Sequence, residues 1–222
     1  MKRWAIWLSI ITAVALGGCA TFDTAAIQSQ TKGKRIVVSS LVNSKLSLAW
    51  VGTTAFNVEK QALEKPEWQL PDRFVQHLIR QLQASDRFSA VTLSMDTQAD
   101  RNQILKTPAS EADLVLILSN GSTVDPLYST NHMLHGFGVY QRTAFGIKMH
   151  SLPHAVIKAE LVDLQSGKTI AEHTTASFEI RDHALGEGAA INADKTDMVQ
   201  QSLIQLTNMA STDIVKTFGF IP

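Results

Sequence analysis

The sequence predicts a single α/β domain in which helices pack on a mixed β-sheet. The chain has 222 residues and is 45% hydrophobic, which is enough to bury a substantial core. Short β-branched runs alternate with stretches of helical period, a pattern typical of layered α/β domains. Without a leader segment about 200 residues remain, the size of one domain.

The N-terminal segment has the layout of a secretory signal peptide. Lys2 and Arg3 precede an apolar run from Trp4 to Leu16. That run is too short for a membrane-spanning helix, which needs roughly 20 apolar residues. Small residues then lead to Cys19, so residues 1–18 are predicted to be a cleaved leader.

Leu16-Gly17-Gly18-Cys19 resembles the bacterial lipobox, in which two small residues separate an aliphatic residue from a cysteine. The resemblance implies that Cys19 is the lipid attachment site, carrying diacylglycerol, and that the new amino terminus is acylated. By resemblance to enterobacterial sorting rules, Ala20 implies the periplasmic face of the outer membrane. An ordinary signal peptide with a chance cysteine, or an uncleaved anchor, is the alternative.

The mature chain is predicted to begin with a polar lipidated tether, residues 19–34, followed by a periplasmic α/β domain, residues 35–222. Arg35 to Val42 is a β-branched run that predicts a buried strand. Lys45 to Glu59 alternates unevenly and is interpreted as extended or strand. Pro71 suits a helix start, and Phe74, Leu78 and Leu82 then form one apolar face.

The middle of the chain predicts two strands and a short helix. "DRFSAVTLS" is strand-like, and a weaker helix is predicted from Thr97 to Lys106. The five apolar residues from Leu114 to Leu118 predict a central strand that is buried on both faces.

The C-terminal third predicts a hairpin and a helix. Alternation through Ile157, Ala159 and Leu161 leads to a turn at Gln165–Lys168 and a second strand from Thr169 to Ile180. A helix follows, in which the apolar residues recur at helical spacing. These residues are Val199, Leu203, Leu206, Ala210 and Ile214.

The helix before Arg87-Phe88, together with Leu161-Val162-Asp163 and Ser166-Gly167-Lys168, resembles a group of bacterial envelope lipoproteins. The group includes the curli secretion lipoprotein and the lipoprotein activator of penicillin-binding proteins. The resemblance implies a core similar to the TolB amino-terminal domain, and it implies non-enzymatic roles in which members bind envelope partners or assemble into rings.

The stretch "NHMLHGFGVYQRTAFGIKMH", residues 131–150, shows a strand period of two. A hairpin turning at Gln141–Thr143 would pair Val139 with Phe145 and Phe137 with Ile147. Large apolar side chains would then share one face, with Tyr140 on the other. Phe137, Val139, Tyr140, Phe145 and Ile147 are therefore the candidate interaction residues.

Three locations are open for that apolar face. It could cover the domain's own sheet, dock on a partner or a second copy, or enter a membrane as part of an oligomeric barrel. Each arm would have some eight residues, whereas a membrane-spanning strand needs roughly 9–11. The membrane location is therefore the least favoured.

No enzyme motif with specific spacing is present in the sequence. His132 with His135, or His150 with His154, could bind a metal if each pair shared a helix face, but the surrounding pattern is not helical. One cysteine can form neither an internal disulfide nor a thiolate cluster. The prediction is no enzyme, no cofactor and no metal.

These observations predict a lipid-anchored, non-enzymatic accessory protein of envelope assembly, bound to the membrane and to an envelope protein partner. A homo-oligomer is left open as a further state. A self-assembling secretion or pore component is the first alternative, and a periplasmic metal- or ligand-binding protein is the second. The formal net charge is zero, so no basic excess indicates nucleic acid.

Overall fold

A computed structural model describes residues 23–53, 57–94, 100–106, 111–126, 132–144 and 147–222, excluding the side chains of residues 144 and 147–149. Four α-helices lie in this part of the chain: α1 Thr24–Thr31, α2 Leu70–Ala84, α3 Arg101–Ile104 and α4 Thr196–Thr217. The first strands are β1 Arg35–Ser40, β2 Lys45–Val51, β3 Val58–Glu64, β4 Ala90–Leu93 and β5 Leu114–Asn120. The others are β6 Ser122–Val124, β7 Met133–Ala144, β8 Ile147–Asp163 and β9 Lys168–Phe178.

The strands form one mixed sheet in the order β3-β2-β7-β8-β5-β1-β4, with β6 beside β7 and β9 beside β8. β1 runs parallel to β4 and β5, and β2 runs parallel to β7, whereas the remaining pairs are antiparallel. This confirms the predicted fold class, a mixed sheet with packed helices.

β8 is 17 residues long and joins the two halves of the sheet. Up to Val156 it pairs with β7, and from Ile157 onward the same edge pairs with β5. The change of partner occurs where the Gly136 N–H donates to the Gly121 carbonyl at 3.2 Å. Gly136 has a φ of +55°, which residues with a Cβ seldom adopt, and the side chain of Asn120 lies against it.

The main core lies between the sheet and helices α1, α2 and α4. The predicted α2 stripe of Phe74, Leu78 and Leu82 is buried there, and so is the predicted apolar face of α4. β5 alternates as expected for a central strand: Leu114, Leu116 and Leu118 enter the main core, whereas Val115 and Ile117 enter a smaller cluster on the opposite face. The prediction that this strand is buried on both faces is confirmed.

The other face of the sheet carries two smaller apolar clusters. One includes Ile104 of α3, and Arg101 of the same helix donates a hydrogen bond to the buried Glu160 at 3.0 Å. The second cluster consists of Ala49, Val51, Leu134, Tyr140, Leu152 and Val156. Both faces of the central strands are therefore covered.

The folded domain starts earlier than the predicted boundary at Arg35. Within the predicted tether, residues 24–31 form α1, which is capped by the Asp23 carboxylate at 2.9 Å from the Ala26 nitrogen. Ile27 and Thr31 are buried against the domain. The period was not visible in the sequence because only these two positions of the short helix face inward.

The segment predicted as extended from Lys45 to Glu59 supplies β2 and the first residues of β3, two antiparallel strands. The predicted turn at Gln165–Lys168 is confirmed, since Asp163 pairs with Lys168 across it. Of the predicted helix from Thr97 to Lys106, the described part contains α3, and residues 95–99 lie outside the described residues.

The predicted hairpin within residues 131–150 exists, but its predicted register is wrong. Val139 pairs with Pro153 and Phe137 with Ala155, and Ala144 pairs with Ile147 beside the turn. The prediction ended the second arm at His150, whereas β8 continues to Asp163. The longer pairing moves the turn toward the C-terminus.

Candidate functional site

The predicted lipid attachment site, Cys19, lies outside the described residues, as do the leader and the three residues that follow Cys19. Among the candidate interaction residues, Phe145 also lies outside them, and the side chain of Ile147 is not described. The geometry of the remaining candidates follows from the position of β7 between β2 and β8.

Phe137, Val139 and Tyr140 are buried within the chain's own domain. Phe137 and Val139 face the main core under the helices, and Tyr140 faces the second cluster on the opposite side. For Phe137 and Val139, the first of the three predicted locations is the one observed, and Tyr140 is buried on the other face of the sheet. They are not available to a partner in the folded domain.

Gln141, which was predicted to lie in the hairpin turn, is instead a buried residue of β7, three residues before the end of that strand. Its side-chain oxygen accepts hydrogen bonds from the backbone N–H groups of Leu185 at 2.7 Å and Gly186 at 3.2 Å. Its amide nitrogen donates to the carbonyls of Gly188 at 2.8 Å and Ala190 at 3.0 Å. A buried amide with its hydrogen bonds satisfied holds this loop against the sheet.

Tyr140 joins a polar group beneath the β6–β7 ladder. Its hydroxyl donates to the buried Asp125 carboxylate at 3.1 Å, and its ring stacks on His132 with centroids 4.8 Å apart. Partial burial lowers the pKa of His132, which favours its neutral form. Sequence reasoning missed Asp125, for which the sequence carries no local motif.

His154 is fully buried and packs on Gly138, its partner across β7 and β8. Its Nδ1 lies 3.1 Å from the Leu152 carbonyl, and its Nε2 makes no hydrogen bond with the described residues. Burial lowers the pKa of His154 to about 4, partly offset by the nearby backbone of Leu152 and His135. The imidazole is therefore neutral at neutral pH.

The predicted histidine pairs lie on strand-like backbone rather than on a helix face. His150 lies 3.5 Å from the Asp182 carboxylate, while His154 points into the interior. His132 packs on Tyr140, whereas His135 is exposed. Within the described ranges, no three His, Cys, Asp or Glu side chains are grouped so that they could hold a metal ion.

An accessible surface lies next to Tyr140 and His132, on the outer face of the paired strands β6 and β7. We name it the ribbon face, and it consists of Ser122, Val124, Met133 and His135. Val124 pairs with Met133, and Ser122 pairs with His135. The Val124 side chain is 58% exposed and that of Met133 is 39% exposed. Leu134 points the other way into the second cluster.

Val124 and Met133 therefore form a small exposed apolar pair on the ribbon face. Met133 lies within residues 131–150, for which the sequence predicted a strand period, whereas Val124 was missed. β6 has only three residues, too few to show a period.

None of the helices in the described part of the chain is both long enough and apolar enough to cross a bilayer.

No protein-family model matches the chain, and no curated protein matches it in sequence. A Xanthomonas campestris protein of the family DUF330 is structurally similar, with a TM-score of 0.44 and 10% identity, covering 83% of each chain. A PelC dodecamer from Paraburkholderia phytofirmans gives a TM-score of 0.39 and 10% identity, covering 84% of this chain and 87% of that chain.

A minor lipoprotein from Acinetobacter baumannii gives a TM-score of 0.36 and 12% identity, covering 81% of this chain and 92% of that chain. Bacterial lipoproteins are thus among the structural neighbours. TM-scores this low assign no family, activity or assembly to the chain.

Proposed function

We propose that this protein is a lipoprotein of the bacterial envelope, anchored through Cys19 to the periplasmic face of the outer membrane. The proposal is carried by the N-terminal sequence, in which two cationic residues, a short apolar run and Leu16-Gly17-Gly18-Cys19 occur in order. Each buried CH₂ of an acyl chain contributes about 0.8 kcal/mol, and two or more chains hold a protein stably on a bilayer.

The anchored domain acts without catalysis, by contact between the ribbon face and another envelope protein. The support is the exposed pair Val124 and Met133, which lies on the paired strands β6 and β7. The buried residues Phe137, Val139 and Tyr140 position those strands rather than touching the partner.

The anchor is tested by metabolic labelling with a palmitate analogue in a bacterial host. The wild-type chain should incorporate the label, and the Cys19→Ser variant should not. The Ala20→Asp variant should keep the label but fractionate with the inner membrane, because an aspartate directly after the lipidated cysteine is the enterobacterial retention signal. An unlabelled wild-type chain that keeps its leader would contradict the anchor.

The contact surface is tested with a photo-crosslinking residue at Met133. Met209 on α4 is the matched control, since it is also an exposed methionine, at 50%. Position 133 should give a defined adduct in cells, position 209 should not, and Val124→Asp should remove the adduct. An adduct containing a second copy of the chain would instead support the self-assembling alternative. Equal capture at both positions would contradict the proposed surface.

A further inference from the structure

The folded domain begins very close to the predicted lipid. Only Ala20, Thr21 and Phe22 separate Cys19 from Asp23, the residue that caps α1. Four residue steps span at most roughly 14 Å when the chain is fully extended. Any chain of this length holds the start of α1 near the headgroups of the bilayer.

α1 is a fixed part of the domain, so this restraint passes to the whole molecule. Ile27 enters the main core, and the Thr31 hydroxyl is buried and donates to the Ile27 carbonyl at 2.9 Å. The Gln28 side chain donates to the Gly219 carbonyl at 2.7 Å, and Arg87 donates to the Gln28 carbonyl at 3.3 Å. The bonds with Gly219 and Arg87 join the helix to residues far away in the sequence.

The contact with Gly219 identifies which end of the domain is held. Gly219 follows α4, and a Cβ placed on it would lie 3.2 Å from the Thr24 Cβ. The start of α1 and the end of α4 therefore meet at one end, which we name the anchor end and define by Asp23, Thr24, Ala25, Gln28 and Gly219.

α4 leads away from this end. From Lys216 to Asp197 the helix axis extends about 28 Å, at 1.5 Å per residue. Asp197 is exposed at the first turn of the helix. A tether that spans at most about half of this distance keeps the anchor end closer to Cys19 than the Asp197 end of α4.

We propose that the anchor end faces the lipid headgroups and that the Asp197 end of α4 projects away from the membrane. This inference rests on the proposed anchor at Cys19. It adds an interaction surface, for which the partner is the bilayer itself, and an orientation for the domain.

The test uses the lipidated full-length mature protein in phosphatidylethanolamine–phosphatidylglycerol vesicles that contain a nitroxide-headgroup lipid as a contact quencher. Cys19 is the chain's single cysteine and is blocked by its thioether, so Ala25→Cys and Asp197→Cys each give one labelling position. A fluorophore at position 25 should lose most of its emission, and one at position 197 should keep most of it. Equal loss at both positions would overturn the orientation.

Two further variants distinguish a failure of the proposed anchor from a failure of the proposed orientation. The Cys19→Ser protein tests the proposed function, because loss of flotation with vesicles is expected if the anchor is real. A flexible 20-residue Gly/Ser insert between Phe22 and Asp23 should preserve flotation and restore emission at position 25, since it reaches about 25 Å on average. If the longer tether leaves the quenching unchanged, the short tether is not what sets the orientation.

Discussion

At the residue scale, His154 and Gly138 form a cross-strand pair. The buried imidazole of His154 occupies the space that a side chain at position 138 would need. A Cβ on Gly138 would come within 2.8 Å of the His154 Nε2 and within 2.1 Å of the Ser47 carbonyl oxygen. The absence of a side chain at position 138 therefore allows three strands to approach one another around a neutral histidine. Burial makes protonation of that histidine unfavourable in the folded state.

This pair predicts acid sensitivity. The unfolded chain binds a proton at His154 below about pH 6.5, whereas the folded chain binds it only near pH 4. The folded-state pKa is depressed, so stability from the neutral His154 is fully present above pH 6.5. It is lost as the pH falls toward 4, because the proton then binds the unfolded chain more readily than the folded chain. At about 1.4 kcal/mol per pH unit, the loss is roughly 3 kcal/mol.

The measurement is urea unfolding of the mature domain at pH 7 and pH 4.5. His154→Leu should reduce the difference in unfolding free energy between the two pH values. His135→Leu, which changes an exposed histidine, is the matched control and should retain the wild-type difference. Identical pH dependence in wild type and His154→Leu would show that His154 is not the acid-sensitive group.

At the element scale, three strands hold one loop through side-chain contacts to its backbone. Gln141 on β7 contacts four backbone groups between Leu185 and Ala190. Gln61 on β3 donates to the Ala189 carbonyl at 2.9 Å, and the carboxylate of Glu59, also on β3, accepts from the Ala189 N–H at 3.2 Å. Ser151 on β8 donates to the His183 carbonyl at 2.8 Å. The loop that precedes α4 is ordered by these contacts rather than by secondary structure of its own.

Gln141→Leu is expected to release this loop. An unsatisfied buried polar group costs about 1–3 kcal/mol, and the substitution removes the partners of several such groups at once. We expect a loss of a few kcal/mol in unfolding free energy and faster hydrogen exchange in a peptide covering residues 183–192. Gln61→Leu, which removes a single bond from an exposed edge strand, should cost about 1 kcal/mol. Equal exchange rates in the two variants would contradict the role of Gln141 in holding this loop.

At the scale of the whole molecule, β8 joins the half of the sheet that contains β7 to the half that contains β5. It contacts β7, β5 and β9, and α4 packs across β8 and β9. The main core is one continuous cluster that reaches from α1 to β2. Neither half of the sheet can lose its strands without exposing the core of the other half.

The domain should therefore unfold in a single cooperative transition. In the mature chain, Trp68 lies in the main core and Trp50 packs against it, so their fluorescence reports on that core. Far-ultraviolet circular dichroism reports on all helices and strands. The two urea curves should coincide, whereas two separated midpoints would show that the halves fold independently.

Most of the helices and strands could be predicted from local patterns, because their apolar residues recur with the period of a helix or a strand. The α2 stripe from Phe74 to Leu82, the doubly buried strand from Leu114 to Leu118 and the turn at Gln165–Lys168 are each local patterns that the structure confirms. The proposed anchor at Cys19 is also a local pattern, and it stays a prediction because it lies outside the described residues.

Local patterns could not show what each apolar face packs against in the folded domain. Periodicity shows that Phe137 and Val139 share a side of a strand, but it cannot show that this side faces the main core of the same domain. The sequence pattern placed Gln141 in a turn. The structure shows instead that its side chain accepts a hydrogen bond from the backbone N–H of Leu185. α1 was missed because only two of its residues face inward, and its contacts with Arg87 and Gly219 are distant in the sequence. Contacts between residues so far apart depend on chain topology, which no local period encodes.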